Sequence, residues 1–279
     1  MTDMIAKPDT VATPHRATGR QVGSFRAALL VLEWMWILYR RNWKATAFSS
    51  IGVPVLYLLA MGLGFGSQVR SGSVPGGVAY VAYLAPALLP AGAVQVAVGE
   101  CTFPVLSGFQ WTKTFLGIVA TPITPGQLLF GKLLWVTCRL VQSGAAYLVV
   151  AVAIGAVTGP GILLSLVFGI CTGLAFGAPV IAFAATVGSD GRAFNPVFRF
   201  IVLPMSLFAG TFFPITQLPA WIRPVAWFTP VWHGTELARG IEFGTLGWGA
   251  AMVHLGYLAV LFTTGVLLAR WRFRVRLTS

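Results

Sequence analysis

Apolar residues in this chain gather into long uncharged runs separated by short polar or proline-rich stretches. A hydrocarbon layer about 30 Å thick takes about 20 apolar residues in a helix. Residues 48–65, 78–98, 133–157, 162–187, 200–215 and 248–269 approach or exceed that length, and Arg139 is the only charge inside them. The pattern predicts an all-α polytopic membrane protein with six transmembrane helices.

Two apolar segments do not fit as spans. Residues 27–39 cover about half a bilayer, contain Glu33 and run into Arg40, Arg41 and Lys44. Trp34, Trp36 and Trp43 suit the headgroup layer, so this segment predicts an N-terminal interfacial helix on the cytoplasmic surface. A seventh span here would bury Glu33 in lipid and carry the N-terminal positive charge across. Residues 211–247 hold Pro214, Pro219, Pro224 and Pro230 between aromatics, which breaks any continuous helix. They predict short re-entrant helices dipping into the outer interface before the last span. Residues 1–24 are polar, have no apolar signal core and predict a disordered cytoplasmic tail, with 25–279 a single membrane domain. Gly62/Gly66 and Gly173/Gly177 have the small-xxx-small spacing of closely packed helices.

Composition and charge sharpen this picture. A chain that is 57% hydrophobic and 9% charged, with mean hydropathy +0.81, cannot cover a soluble surface with polar groups. The net charge of +12 would suit nucleic acid on a soluble domain. Here it follows the spans. Lys7, Arg16, Arg20, Arg26, Arg40, Arg41, Lys44, Lys113, Lys132, Arg192, Arg199, Arg270, Arg272, Arg274 and Arg276 all fall on one side of six spans. The other side keeps Arg70, Arg223 and Arg239. Translocation retains Lys and Arg, so the rich side, with both termini, is expected to be cytoplasmic. Membrane lipids are the expected surroundings and nucleic acid is not an expected partner. Cys101, Cys138 and Cys171 lack metal-site spacing and read as small packing residues.

Chemistry-bearing residues are few. Gly126-Gln-Leu-Leu-Phe-Gly131-Lys132 has the spacing of a phosphate loop, but Leu133 stands where a Ser or Thr hydroxyl is needed and no strand precedes it. No cofactor is expected on this chain. Glu100 ends the second run, and Arg139 lies about two turns into the third from the same side. Intramembrane charges are usually paired, so these two are expected to meet, either as a structural tie or as an inner gate. Between them, residues 108–117 predict a short amphipathic helix with Phe109, Gln110, Trp111, Lys113, Thr114 and Phe115, followed by a stiff turn at 120–125. That helix either lies at the headgroups or offers aromatic knobs to a soluble partner. His15 lies in the tail and His233 in the outer segment; His254, inside the sixth run, suits an interhelical hydrogen bond more than a proton relay.

Gly210-Thr-Phe-Phe-Pro214, Leu218-Pro-Ala-Trp221 and Pro230-Val-Trp-His-Gly-Thr-Glu-Leu-Ala-Arg-Gly240 together resemble the outer re-entrant region of the ABC-2 type exporter permeases. That family includes nodulation-factor, polysaccharide and daunorubicin-type drug exporters. Ala120-Thr-Pro-Ile-Thr-Pro125 and Gly131-Lys-Leu-Leu134 resemble the stretch that leads from its coupling loop into the third helix. The resemblance implies a six-helix permease paired with a second permease, itself or a paralogue. It also implies two cytoplasmic ATPases, which hold ATP and magnesium and drive the permease through the 109–115 loop. The implied setting is a bacterial plasma membrane and the implied cargo amphipathic, lipid-linked or drug-like. Phe212, Phe213, Pro214, His233, Glu236 and Arg239 match the outer motif, chiefly to hold the re-entrant helix. Many relatives carry more charge in the coupling loop than Lys113. A secondary transporter or channel would instead need coupling charges near the midplane and an inverted repeat. A membrane transferase would need a convergent acid–base cluster.

Six spans with the rich side inside set one expected outcome. Single cysteines placed near Ser71 and Gln217 are labelled by an impermeant reagent in intact cells, whereas those near Lys113 and Ser189 are not. Labelling at Lys113 would overturn the topology.

Overall fold

A computed structural model describes residues 23–64, 78–188 and 190–278. The expected tail up to residue 22, with His15, and also Gly66 and Arg70, lie outside them. The elements are α1 (Ser24–Tyr57) continued by a π segment (Leu58–Gly64), α2 (Tyr80–Cys101), α3 (Phe103–Phe109), α4 (Thr114–Val119), α5 (Pro125–Ala153) and α6 (Gly161–Ala184). Then α7 (Phe194–Pro196), a π segment (Val197–Val202) and α8 (Leu203–Phe208) make one short apolar stretch. A 3₁₀ turn (Ile215–Gln217), α9 (Arg223–Trp227), α10 (Pro230–Glu242) and α11 (Trp248–Thr278) complete the chain. Tyr80–Phe109, Pro125–Ala153, Gly161–Ala184 and Trp248–Thr278 are long and apolar enough to cross a membrane.

Several expected boundaries move, each for a local reason. The expected interfacial helix is no separate element: α1 runs unbroken from Ser24, and neither Gly nor Pro occurs in it before Gly52. Its buried residues Ala27, Ala28, Val31, Met35 and Tyr39 recur every three or four positions and form one face. That face lies on α5, where a Cβ at Gly131 would collide with Val31. The third span begins at Pro125, well before residue 133, because Thr124 and Gln127 close a capping box around the proline. The residues with phosphate-loop spacing are therefore helical. The fifth run is displaced: its helical stretch, Phe194–Phe208, is only about 22 Å long at 1.5 Å per residue. It stops where Gly210 turns to φ +80°, leaving Phe212, Phe213 and Pro214 in an irregular segment. The helix expected over 108–117 is split, since Lys113 adopts left-handed φ 52° between α3 and α4.

The bundle is organised around α6. Gly169, Gly173 and Gly177 form a row along it. Added Cβ atoms there would lie 3.2 Å from the Leu89 carbonyl carbon, 3.1 Å from Ala93 O and 3.1 Å from Cys101 Sγ. Small residues thus let α6 and α2 touch along their backbones, as in other membrane helix pairs. Gly265 of α11 lies against Ala178 and Pro179 of α6, and Gly234 of α10 lies over Pro90 and Thr172. The largest apolar cluster sits at one end, where α3, α4 and the near ends of α1, α5, α6 and α11 converge. Lys113, Lys132, Arg192 and the four arginines of α11 are at this end. Arg223 and Arg239 lie at the other.

A Cβ at Gly265 would come within 2.8 Å of backbone atoms of Ala178 and Pro179, whereas one at Gly256, on the same helix, meets nothing within 4 Å. Gly265→Val is expected to cost about 3 kcal/mol through overpacking and to lower the thermal midpoint of the purified chain. Gly256→Val leaves the midpoint nearly unchanged. Equal losses at both positions would disprove the close crossing.

Candidate coupling and gating sites

At the basic end, α1, α2 and α5 meet on a charged cluster. Glu100, in the last turn of α2, lies 2.9 Å from Arg139 Nε, accepts a 2.9 Å bond from Trp135 Nε1 and stands 3.8 Å from Lys132 Nζ. Arg139 also donates to Gln142 Oε1 and rests 4.5 Å from the centre of the Tyr39 ring. Both cations are only 2% exposed. The structure thus brings Glu100 and Arg139 together and adds four partners that sequence reasoning missed, Lys132, Trp135, Gln142 and Tyr39. Lys132 is a buried member of the cluster and not a headgroup contact. Its signal was available: 132, 135, 139 and 142 share one face of a helix. One carboxylate facing two buried cations makes the tie costly to break from either side.

The 109–115 segment divides into anchor and surface. Phe109 and Phe115 are buried edge-to-face on each other, at 5.0 Å, and both pack on Phe273 of α11. Phe115 fills the space where Gly108 has no side chain. Phe115 is therefore no exposed knob, contrary to expectation. Trp111 is 53% exposed and stacks on Phe103, and Leu116, on α4, is exposed as well. Lys113 is exposed beside them, Gln110 is half-buried, and the Thr112 and Thr114 hydroxyls lie 3.3 Å apart. Arg276 donates to the carbonyls of Ala185 and Val187 while lying over Phe109, which fixes the segment to the ends of α6 and α11.

At the opposite end, Arg239 is buried, and no described carboxylate lies within salt-bridge distance of it. Its Nε, Nη1 and Nη2 donate to the carbonyls of Tyr83, Gly210 and Thr211, and its guanidinium lies 3.7 Å from the Tyr83 ring centre. One side chain therefore joins α10, α2 and the turn after α8. His233 Nε2 is 2.9 Å from the Trp227 carbonyl, and its Nδ1 is 2.8 Å from His254 Nδ1. A carbonyl only accepts, so neutral His233 donates from Nε2, and His254 must donate from Nδ1. Tyr257 stacks on His233. Phe212 is buried and its carbonyl accepts from Tyr80, while Phe213 packs nearby. Pro214 and Glu236 line a cavity of about 580 Å³. The three α10 residues of the outer motif thus divide: His233 and Arg239 hold α10 in place, and Glu236 lines the cavity. Sequence reasoning missed Glu242, whose Oε1 accepts from Thr158 N, Thr158 Oγ1 and Gly159 N and so ties α10 to the α5–α6 loop.

Apolar helices with one basic end and buried polar ties at both ends define a helical membrane protein. A profile of the family described as "ABC-2 type transporter" matches residues 26–243. Nodulation protein J of Sinorhizobium fredii is 30% identical over 245 residues, covering 85% of this chain and 91% of that protein. Nodulation protein J of Rhizobium meliloti is 29% identical over 239 residues, 82% of this chain and 87% of that protein. A probable multidrug ABC transporter permease of Escherichia coli K12 is 28% identical over 130 residues, 44% of this chain and 34% of that protein. The chain belongs to the ABC-2 type transporter family, as a membrane permease of the exporter class.

The charged cluster generates a double-mutant expectation. Removing one partner of a buried pair costs about 3–5 kcal/mol, and removing both costs less. Glu100→Gln and Arg139→Gln each reduce assembled protein and export, and the double variant recovers part of the loss. Strictly additive losses would show that the two act separately.

Proposed function

We propose that this chain is the membrane subunit of an ATP-driven exporter in a bacterial plasma membrane, with both termini cytoplasmic. It works with a second permease, a copy of itself or a paralogue, and with two cytoplasmic ATPases that carry ATP and magnesium. The six-span reading counts α1 with its π continuation and the Phe194–Phe208 stretch beside the four longer helices. The segment 211–247 forms the outer re-entrant region.

The observation that carries this reading is the exposed Phe103–Trp111 stack, with Leu116 exposed on the following helix, on a loop made rigid by Phe109, Phe115 and Phe273. Exposed aromatics on a stiff loop suit a soluble partner, because little side-chain freedom is lost on docking. Motion of that partner would reach α11 through Phe273 and α2 through α3, close to the Glu100–Arg139 tie. That proximity supports an inner-gate role for the pair. The cargo reading is an amphipathic, lipid-linked or drug-like molecule. The alternative, a transporter working without ATPases, is less favoured because Arg139, the charge inside a span, is committed to Glu100.

The purified chain alone is expected to hydrolyse no ATP. Trp111→Ala combined with Leu116→Ala weakens ATPase docking; loss of one aromatic anchor is worth about 2 kcal/mol, or roughly 30-fold in affinity. Transport-linked ATPase activity of the reconstituted complex falls accordingly while the permease stays folded. Phe115→Ala instead unfolds the loop, at about 3–5 kcal/mol. Normal transport by the Trp111/Leu116 variant would remove this loop as the coupling element.

A further inference from the structure

The two buried histidines make a contact of limited proton capacity. His233 Nε2 lies 2.9 Å from the Trp227 carbonyl, and the two Nδ1 atoms lie 2.8 Å apart. His233 is 5% exposed and His254 8%. In the neutral pair one proton sits on His233 Nε2 and the other lies between the Nδ1 atoms. A first added proton enters at His254 Nε2, on the cavity side, and leaves that bond intact. A second puts an N–H on each Nδ1, and two donors cannot share a 2.8 Å contact.

The surroundings decide when that second proton enters. Tyr257 of α11 stacks on the His233 ring at 3.8 Å, and its hydroxyl donates to the Phe228 carbonyl. Glu236 and Arg239 of α10 and Tyr83 of α2 line the same cavity as His254. α9 offers the Trp227 carbonyl, while Arg223 is turned to the carbonyls of Thr216 and Leu218. α6 carries no acidic or basic residue, and its titratable group is the Cys171 thiol. A doubly charged pair would therefore add two positive charges near Arg239, against the one carboxylate of Glu236. Burial and the charge of His254 hold His233 down to about 4, although the Trp227 carbonyl acts in the opposite sense. The contact is thus complete above the ordinary imidazole value of about 6.5 and is lost as pH falls towards about 4.

We propose that the His233–His254 contact is a proton-operated latch at the end opposite the basic one, holding α10 to α11 with one added proton and releasing them with two. Histidine pairs suit this task because both charge changes fall on one contact. Release loosens the first half of α11 together with α9, which the Tyr257–Phe228 bond joins to it. α10 itself stays in place, since Arg239 bonds the Tyr83 carbonyl of α2 and the Ser165 hydroxyl of α6 donates to the Ala238 carbonyl. Acid thereby widens the cavity of about 580 Å³ that α10 and α11 share. The latch stands on this geometry and holds whether or not the chain works with ATPases.

The chain has 3 histidines, His15 included, so nitrogen-15 labelling of histidine in the full chain, held in lipid nanodiscs, resolves each ring by magnetic resonance. At about pH 8, above the imidazole range, His233 is expected to carry its proton on Nε2 and His254 on Nδ1. A coupling between the two Nδ1 nuclei then reports the shared proton. On titration to about pH 4, the first proton leaves that coupling and the second abolishes it. Amide exchange in residues 223–229 and 248–257, corrected for its intrinsic pH dependence, then rises about ten-fold, the equilibrium worth of one lost hydrogen bond. α6 keeps its protection. His254→Gln is expected to remove the acid response, because an amide side chain can either donate to His233 Nδ1 or accept from it. Independent titration of both rings near the ordinary value, with no coupling at any pH, would overturn the latch. So would equal acceleration in α6, which marks general acid unfolding, or an acid response that persists in His254→Gln.

Discussion

In hydrocarbon, two helices gain little by hiding more hydrocarbon from the solvent, so their association depends on how closely backbones approach. The glycine row on α6 meets that constraint. Gly169, Gly173 and Gly177 bring α2 onto one side, and Gly265 lets α11 close on another. Every functional feature described above is mounted on this frame. Glu100 lies one residue before Cys101, which Gly177 contacts, and α10 crosses the frame where Gly234 lies over Pro90 and Thr172.

Once the frame is fixed, three cations are buried among the described residues, and the protein solves their desolvation in two ways. Lys132 and Arg139 share a carboxylate, which joins α2 to α5 by charge. Arg239 makes no ion pair with a described carboxylate and uses three carbonyls and an aromatic face, which joins α10 to α2 and to irregular backbone after α8. The second solution also answers a requirement of the medium. Non-helical backbone at membrane depth needs donors for its exposed carbonyls, and Gly210 and Thr211 obtain theirs from Arg239. The two ends thus differ in character: ion pairing near the proposed ATPase contact, backbone stapling at the far side.

The long uncharged runs and the one-sided arginines fixed the fold class from the sequence, because hydropathy and charge act segment by segment. The pairing of Glu100 with Arg139 was legible for the same reason: two charges in apolar runs have few places to go. The 109–115 segment was legible as a loop carrying aromatics. It was not legible as a division between anchors and surface, since Phe115 and Trp111 differ only in what lies behind them. Phe273, which decides that, is more than 150 positions away in the chain.

Local chemistry therefore determined the elements, down to the capping box that starts α5. Tertiary structure decided their extents and the roles of single side chains. Continuity of α1 depends on packing against α5 at Gly131, and no periodicity of α1 alone reveals it. Lys132 became a cluster member because α2 presents Glu100 to its face, and Glu236 became a cavity wall because carbonyls from two other segments already occupy Arg239. The physical reason is common to all of these. Burial of a charge or an aromatic is settled by the partners that surround it, and those partners come from distant stretches of chain brought together by helix packing.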